Sequence, residues 1–521
     1  MRKTLLTFCS LLTASFGFTQ VVLDAHDKRD YYMNTITVEE MKEHLYYLAA
    51  DEFEGRETSK PGQKKAAVFL ESYYNQQGLV SGSLNGVQQQ SFPLRKRKLN
   101  STTVTLSNGK TFSADKDLFC LDAEGLEGKT VFSKIIFVGY GIDAGDVYND
   151  YSKVDVKDAL VVVRDGEPLD KKGIRSLLST DGEKLTDWSY DPALKLNAAK
   201  KHGAKAIAIL REDYKTFLPR IKFWLESERM ELIEDDNQQL ASGIPLIFIS
   251  KETADLWLNG VPKKKRKKDI KTSEYQGELQ INVSDEIVSS ENVLAFIEGS
   301  DEKLKNEIVV ISAHYDHIGI VNGEINNGAD DDGSGTVSAM EIGEAFIQAK
   351  KEGNGPKRSI LILHVSGEEK GLFGSDYYTR HPIYPLSNTV CDLNIDMIGR
   401  VDETHENDSN YIYLIGSDRL SMDLHRISEE VNKQTKNIKL DYTFNSEDDP
   451  NQFYYRSDHY NFAKNNIPVI FYFSGVHEDY HKPGDDAEKI LYGKMTNIAQ
   501  LIFSTAWEIA NAPGRLKLSA Q

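Results

Sequence analysis

The sequence predicts an α/β protein: a three-layer sandwich with a mainly parallel central sheet, interrupted by a smaller inserted α/β module. Three observations carry this. Beyond about residue 290, short apolar runs at 308–312, 360–365, 390–395 and 467–473 alternate with longer helical stretches. Near-continuous β-branched runs of that kind suit strands covered on both faces. The helical stretches are amphipathic: Ile342, Ala345 and Phe346 stand at helical spacing, and Met495, Ile498, Ile502 and Ile509 share one side of the last helix. Between about 115 and 285 the texture shifts to shorter β-rich runs with charged loops, which marks a separate module.

Taken in order, Arg2 and Lys3 precede an uninterrupted apolar run over 5–18. This is the layout of a secretory signal peptide, so residues 1–20 are expected to be removed and the protein to be secreted or periplasmic. The run is shorter than the ~20 apolar residues of a membrane span, and no later stretch qualifies, so no integral membrane segment is expected after processing. Thr37 and Glu40 form a capping box that opens a helix to about Ala50. Pro61 at a first turn starts the next helix, through about Gln77. In the inserted module, strands are expected at 135–139, 159–163, 206–210 and 245–249, with a helix at 193–201 and loops at 167–192 and 211–243. The basic tract Lys263 to Lys268 reads as a solvated loop of that module.

Composition narrows the function classes. Of 521 residues, 40% are hydrophobic and 27% charged, an ordinary globular mix with material for a core. Lys and Arg number 62 against 80 Asp and Glu, a net charge of −18, which repels phosphate backbones and argues against nucleic acid as a partner. Three cysteines can build neither a disulfide scaffold nor a four-thiolate metal site. Cys120 and Cys391, which remain after signal removal, are expected to be buried free thiols. Any metal must therefore be held by histidines and carboxylates.

Sites in open α/β sheets form outside the carboxyl ends of the strands, so the residues that follow each run are informative. The first run leads into Ala313-His314-Tyr315-Asp316-His317, then a loop containing Gly328-Ala329-Asp330-Asp331-Asp332-Gly333. The second leads into Ser366-Gly367-Glu368-Glu369-Lys370-Gly371, and the third into Asp396-Met397-Ile398-Gly399. The fourth is followed by His477 and by Asp479-Tyr480-His481-Lys482-Pro483. Four clusters of His and carboxylates thus face one edge. Converging carboxylates repel one another without a cation, and mixed imidazole and carboxylate donors suit zinc or another borderline divalent ion. The number of donors suggests two ions.

Together His-x-Asp, Gly-Ala-Asp-Asp, Glu-Glu-x-Gly, Asp-Met-Ile-Gly and Asp-Tyr-His-x-Pro resemble, in order and spacing, the di-zinc exopeptidases. That family includes bacterial leucyl aminopeptidase, aminopeptidase Y and glutamate carboxypeptidase. The segments Phe137-Val138-Gly139-Tyr140-Gly141 and Tyr148-Asn149-Asp150-Tyr151 make the module resemble a protease-associated domain. The resemblance implies a zinc exopeptidase-like fold in two parts, 21–114 and 286–521, around a protease-associated insert at 115–285.

Carried onto this chain, the resemblance implies two zinc ions: His314 and Asp396 on one, Glu369 and His481 on the other, with Asp331 bridging. Glu368 falls on the general acid/base, and Asp316 on the group that orients His314. Tyr480 is the first candidate to donate to the oxyanion and Tyr454 the second. Arg456, like Arg400, sits in a loop where it can read a substrate carboxylate. His317 and His477 lie outside the motif positions and read as rim or structural residues. Ser457-Asp458-His459 resembles a further family segment, and its contiguity argues against a Ser-His-Asp triad. The implied activity is hydrolysis of small peptides from one end, as an aminopeptidase in preference to a carboxypeptidase or dipeptidase. A glutaminyl cyclase and a non-catalytic binding protein on the same scaffold are remoter alternatives, because the ligand set and Glu368 are all present.

Overall fold

Alternate residues of a strand point to opposite faces, and the strand Ile308–His314 uses both. Val309, Ile311 and Ala313 pack into one core with Ile360, Ile362, Leu393 and Ile395. Ile308 and Val310 pack into another with Leu361, Leu363 and Val365. All of these are buried, which is why the runs are largely apolar, with Ser312, His364 and Asn394 among the buried exceptions. The larger core lies under the helices Val38–Leu48, Pro61–Gln76, Gly335–Lys351 and Tyr492–Asn511. The opposite one includes Tyr378 and Phe462, from the helices Phe373–Arg380 and His459–Ala463. The result is a helix–sheet–helix sandwich.

This computed structural model describes residues 25–114, 116–120, 126–170, 172, 174–179, 185–233, 243–262 and 270–519. The expected signal peptide and the basic tract Lys263 to Lys268 lie outside the described residues. The chain forms two compact units, one from residues up to Phe92 together with Ser290–Gln521, the other Pro93–Ser289. The second unit begins before the 115 expected from the change of texture, because the strand Val87–Leu106 continues through the boundary.

In the first unit the sheet runs in the order Lys439–Asp441, Tyr411–Ile415, Val469–Phe473, Thr389–Ile395, Ile308–His314, Ser359–Val365, then the ends of Gly277–Ile297 and Val87–Leu106. The central strands Val469–Phe473, Thr389–Ile395, Ile308–His314 and Ser359–Val365 are mutually parallel, with antiparallel neighbours on either side. Their carboxyl ends therefore lie along one edge. The capping box forms as expected: Thr37 Oγ1 accepts from Glu40 N at 3.3 Å and bonds Glu40 Oε2 at 2.7 Å.

The second unit holds a six-stranded sheet whose middle strands, Lys134–Val138, Ala159–Arg164, Ala206–Arg211 and Leu246–Ser250, are parallel. Asp150 locks one corner of it. Its Oδ2 accepts from the main-chain N of Tyr140 and Ile142, and its Oδ1 from the Tyr148 hydroxyl at 2.8 Å. A helix at Tyr214–Glu226 occupies the stretch expected to be a loop. Pro219 and the surrounding charges hide its pattern, yet Tyr214 and Leu218 are buried against the sheet. Cys120 and Cys391 are both buried, and neither forms a disulfide. Among the described residues, no helix is long and apolar enough to cross a membrane.

Candidate metal centre

Four strand ends deliver the donors. His314 closes its strand, with Nε2 3.4 Å from Asp331 Oδ1, 3.7 Å from Asp396 Oδ1 and 3.9 Å from Glu368 Oε2. The other oxygen of Asp331 faces a second group: Oδ2 is 3.1 Å from His481 Nε2, which is itself 3.0 Å from Glu369 Oε2. Asp331 thus offers one oxygen to each group. The structure brings His314, Asp331, Glu369, Asp396 and His481 together around two adjacent points, with Glu368 beside the first.

The Asp triplet divides the work. Asp330 Oδ1 accepts from Gly399 N at 2.6 Å, and Asp332 Oδ1 from Gly335 N at 2.8 Å and Met397 N at 3.1 Å. The main-chain N of both Asp330 and Asp331 donate to Asp485. The outer two carboxylates hold the loop, and the middle one is left to face the site. The Asp331–Asp332 peptide is cis.

Supporting contacts orient the donors. His314 Nδ1 bonds the main-chain O of Asp316 at 3.0 Å, while the Asp316 carboxylate stands 3.9 Å away. That carboxylate accepts instead from Thr58 Oγ1 at 2.6 Å and Glu368 N at 3.3 Å. Asp316 therefore orients the imidazole through its carbonyl, and its side chain ties the Glu368 backbone to the same loop. Ser457 Oγ donates to Asp396 Oδ2 at 2.8 Å and accepts from Asn394 Nδ2 at 2.9 Å. Sequence reasoning missed this role, since only the fold places 457 against 396. The neighbours of Ser457 go elsewhere: Asp458 Oδ1 accepts from Ser375 Oγ at 2.5 Å, and the His459 ring stacks on Phe471. No triad forms from these three. Ser457→Ala is expected to weaken divalent-metal binding by about 10–100-fold without unfolding the protein, as read by competition with a chelating dye. Unchanged affinity would rule out that orienting role.

The site is deficient in positive charge. Several of its buried atoms have no hydrogen-bond partner, among them His314 Nε2, Asp331 Oδ2 and Glu369 Oε1. Burial opposes the charge on Asp331, but His317, His314 and His481 outweigh it and hold that carboxyl well below the usual range. Burial, with Glu369, Asp396 and Asp458 adding to it, pushes Glu368 well above its ordinary value against the pull of His314. Orphaned imidazole and carboxylate atoms converging without thiolates are the donor set of a borderline divalent cation, and a zinc pair fits them.

A cleft beside Asp331, Glu368 and Asp396 is walled by Met397, Phe453, Phe471 and Phe473, with Tyr480 and Arg456 at its lining. Tyr480 stacks on His481 with ring centroids 3.9 Å apart. Arg456 is exposed, lies over the Phe453 ring and forms no ion pair among the described residues. Arg400, by contrast, is paired with Asp479 at 3.2 Å. Tyr454 is not among the residues lining this cleft; Arg419 covers its ring. His317 and His477, read from the sequence as rim or structural, are both buried. His477 faces Asp330 at 3.4 Å, beneath the loop, whereas His317 Nδ1 stands 2.7 Å from Glu369 Oε1.

Residues 292–506 match the family model described as peptidase family M28. A probable leucine aminopeptidase of Trichophyton verrucosum (strain HKI 0517) is 31% identical over 232 residues, which cover 42% of this chain and 58% of that protein. A probable zinc metalloprotease of Pyrenophora teres f. teres (strain 0-1) is 27% identical over 267 residues, or 43% of this chain and 53% of that protein. The chain spans only somewhat over half the length of these curated relatives. Among solved structures, an aminopeptidase from Aneurinibacillus sp. strain AM-1 aligns with a TM-score of 0.53 at 18% identity, over 95% of this chain and 98% of that one, and shares the fold.

Proposed function

We propose, from the premise that residues 292–506 form a peptidase family M28 segment, that the protein is a two-zinc metallopeptidase that removes residues from the amino end of small peptides. The observation that carries this reading is the split of Asp331, whose two oxygens face His314 with Asp396 on one side and His481 with Glu369 on the other. When bound, a zinc pair would acidify a water and polarise the scissile carbonyl. Glu368 takes the proton of the attacking water and hands it to the leaving amine, a task suited to a carboxyl whose proton affinity is raised by burial and neighbouring carboxylates. The Tyr480 hydroxyl, in the same cleft, is the donor to the developing oxyanion. The apolar wall of Met397, Phe453, Phe471 and Phe473 favours an apolar side chain on the residue removed.

One observation favours a second reading. Arg456, unpaired at the same cleft, offers a guanidinium to a substrate carboxylate, as a carboxypeptidase or dipeptidase requires. Export is part of the proposal and rests on Arg2 and Lys3 ahead of the apolar run. The unit Pro93–Ser289 is read as a protease-associated module, with the Asp150 corner as its supporting feature.

Metal analysis and a cleavage profile test the reading together. About two zinc ions per chain are expected, with activity lost on chelation and restored by zinc. Free and C-amidated dipeptides should be cleaved and N-blocked ones spared. Activity indifferent to chelation would sink the metallopeptidase. Cleavage of N-blocked but not C-amidated dipeptides would transfer the reading to the carboxyl end, where Arg456→Ala should raise KM more than it lowers kcat.

A further inference from the structure

We propose that His317 is a fourth protein donor to the metal position formed by Asp331, Glu369 and His481, so that the protein closes this position while the one at His314, Asp331 and Asp396 keeps an open place for water and substrate. The inference rests on the two-zinc reading and adds to it an asymmetry between the ions.

His317 is completely buried, and neither ring nitrogen has a hydrogen-bond partner. Leaving a buried polar atom unpaired is costly, so an imidazole orphaned at both nitrogens calls for a partner that is not a protein group. Nδ1 lies 2.7 Å from Glu369 Oε1, yet the two are not aligned as donor and acceptor, and each remains unsatisfied. Misaligned atoms this close point past one another to a shared third body. Nδ1 is also 3.7 Å from Asp331 Oδ2, and these donor atoms of His317, Asp331 and Glu369 all lie within 4.8 Å of one another. His481 approaches the same two carboxylates, with Nε2 3.1 Å from Asp331 Oδ2 and 3.0 Å from Glu369 Oε2, so both imidazoles border the Asp331–Glu369 pair. Donors about 2.0–2.2 Å from a tetrahedral zinc are separated from each other by roughly 3.3–3.6 Å. The observed separations, 2.7 to 3.7 Å, fall on both sides of that value.

The local chain is built to seat this ring. His317 N donates to Arg56 O at 3.2 Å, and His317 pairs in extended form with Glu57. Gly328, at φ +57°, leaves the space the imidazole fills: a Cβ there would stand 2.5 Å from two ring atoms. Around the first position the structure gathers three donors, His314, Asp331 and Asp396. Three protein ligands with a free fourth place is the arrangement of catalytic zinc, and four protein ligands that of structural zinc. The ion at His317 should accordingly bind first and leave last.

The test uses the full-length protein, zinc titration and cobalt spectra. In the wild type, two ions should bind in separate steps. His317→Ala should weaken the tighter step by more than about 100-fold, beyond the 10–100-fold typical of a residue that only orients a ligand. His317→Cys is the decisive variant, because a thiolate's longer bond to metal compensates for its shorter reach from Cβ. Loaded with cobalt, it should show a near-ultraviolet thiolate-to-cobalt charge-transfer band absent from the wild type, with much of the tight step restored. Two cobalt ions bound without that band, or an unchanged tight step in His317→Ala, would overturn the proposal. Fewer than two ions in the wild type would overturn the two-zinc reading, and this inference with it.

Discussion

Glu368→Gln is expected to lower kcat by about 10²–10⁴-fold while zinc content and folding stay at wild-type levels. The carboxylate lies 3.9 Å from His314 Nε2, closer to the first metal position than to the second, and its main-chain N donates to Asp316 Oδ1. The adjacent Glu369 points the other way, towards His481 and His317. Successive residues at a strand end diverge, so the pair can supply one ligand and one free base. Gln keeps the shape and the backbone bond but has no basic oxygen. Glu369→Gln should instead reduce metal binding. Parallel kcat and zinc measurements on both variants check the assignment: if Glu368→Gln keeps most of its turnover, or loses zinc, the two glutamates have exchanged roles.

The division between what the sequence discloses and what it conceals follows burial. Strands covered on both faces, such as Ile308–His314 and Ser359–Val365, are buried throughout and apolar at most positions, and they stand out from their surroundings. Because they are parallel, the residues after them share one edge, and His314, Glu368, Glu369 and Asp396 can be read off as neighbours. The long strand Val87–Leu106 mixes buried and exposed positions and carries Arg95, Lys96, Arg97 and Lys98, while Gly277–Ile297 is exposed over most of 282–289 before its buried end; such segments look like charged loops. The helix Tyr214–Glu226 is disguised by Pro219. At the site, His317 follows His314 at a spacing no motif position covers, and only the ring's burial beside Gly328 reveals it. Ser457 was legible as part of a segment, but its bond to Asp396 depends on a contact across 61 positions.

Arg56→Met is expected to destabilise the unit that carries the metal centre by about 3–5 kcal/mol, the cost typical of breaking a buried charged network. Arg56 is fully buried, and its guanidinium donates to four main-chain carbonyls: Tyr315 O at 2.8 Å, Leu48 O at 3.1 Å, Asn327 O at 2.7 Å and Gly328 O at 2.8 Å. It thereby ties together the end of the Val38–Leu48 helix, the His314 loop and the turn before Asp331. Burial lowers the pKa of the guanidinium, and Asp485, Asp331, Asp316 and Asp332 oppose that shift, so its charge also offsets the acidic cluster. Methionine fills much of the volume but leaves the Tyr315, Leu48 and Asn327 carbonyls without this donor, each at about 1–3 kcal/mol unless water enters, while Gly328 O keeps Gly333 N at 3.1 Å. Arg56→Lys keeps the charge, yet three donors on a flexible stem cannot reproduce the planar fork, so an intermediate loss is expected. Urea unfolding of the metal-free protein reads the effect without the contribution of bound zinc, which would otherwise add to the apparent stability. The same variant should bind zinc more weakly, since the Tyr315 and Gly328 carbonyls flank the loops that position His314, His317 and Asp331. A loss below about 1 kcal/mol with unchanged zinc affinity would mean that these loops hold their shape without the guanidinium, and that the bonds at their own Asp side chains suffice.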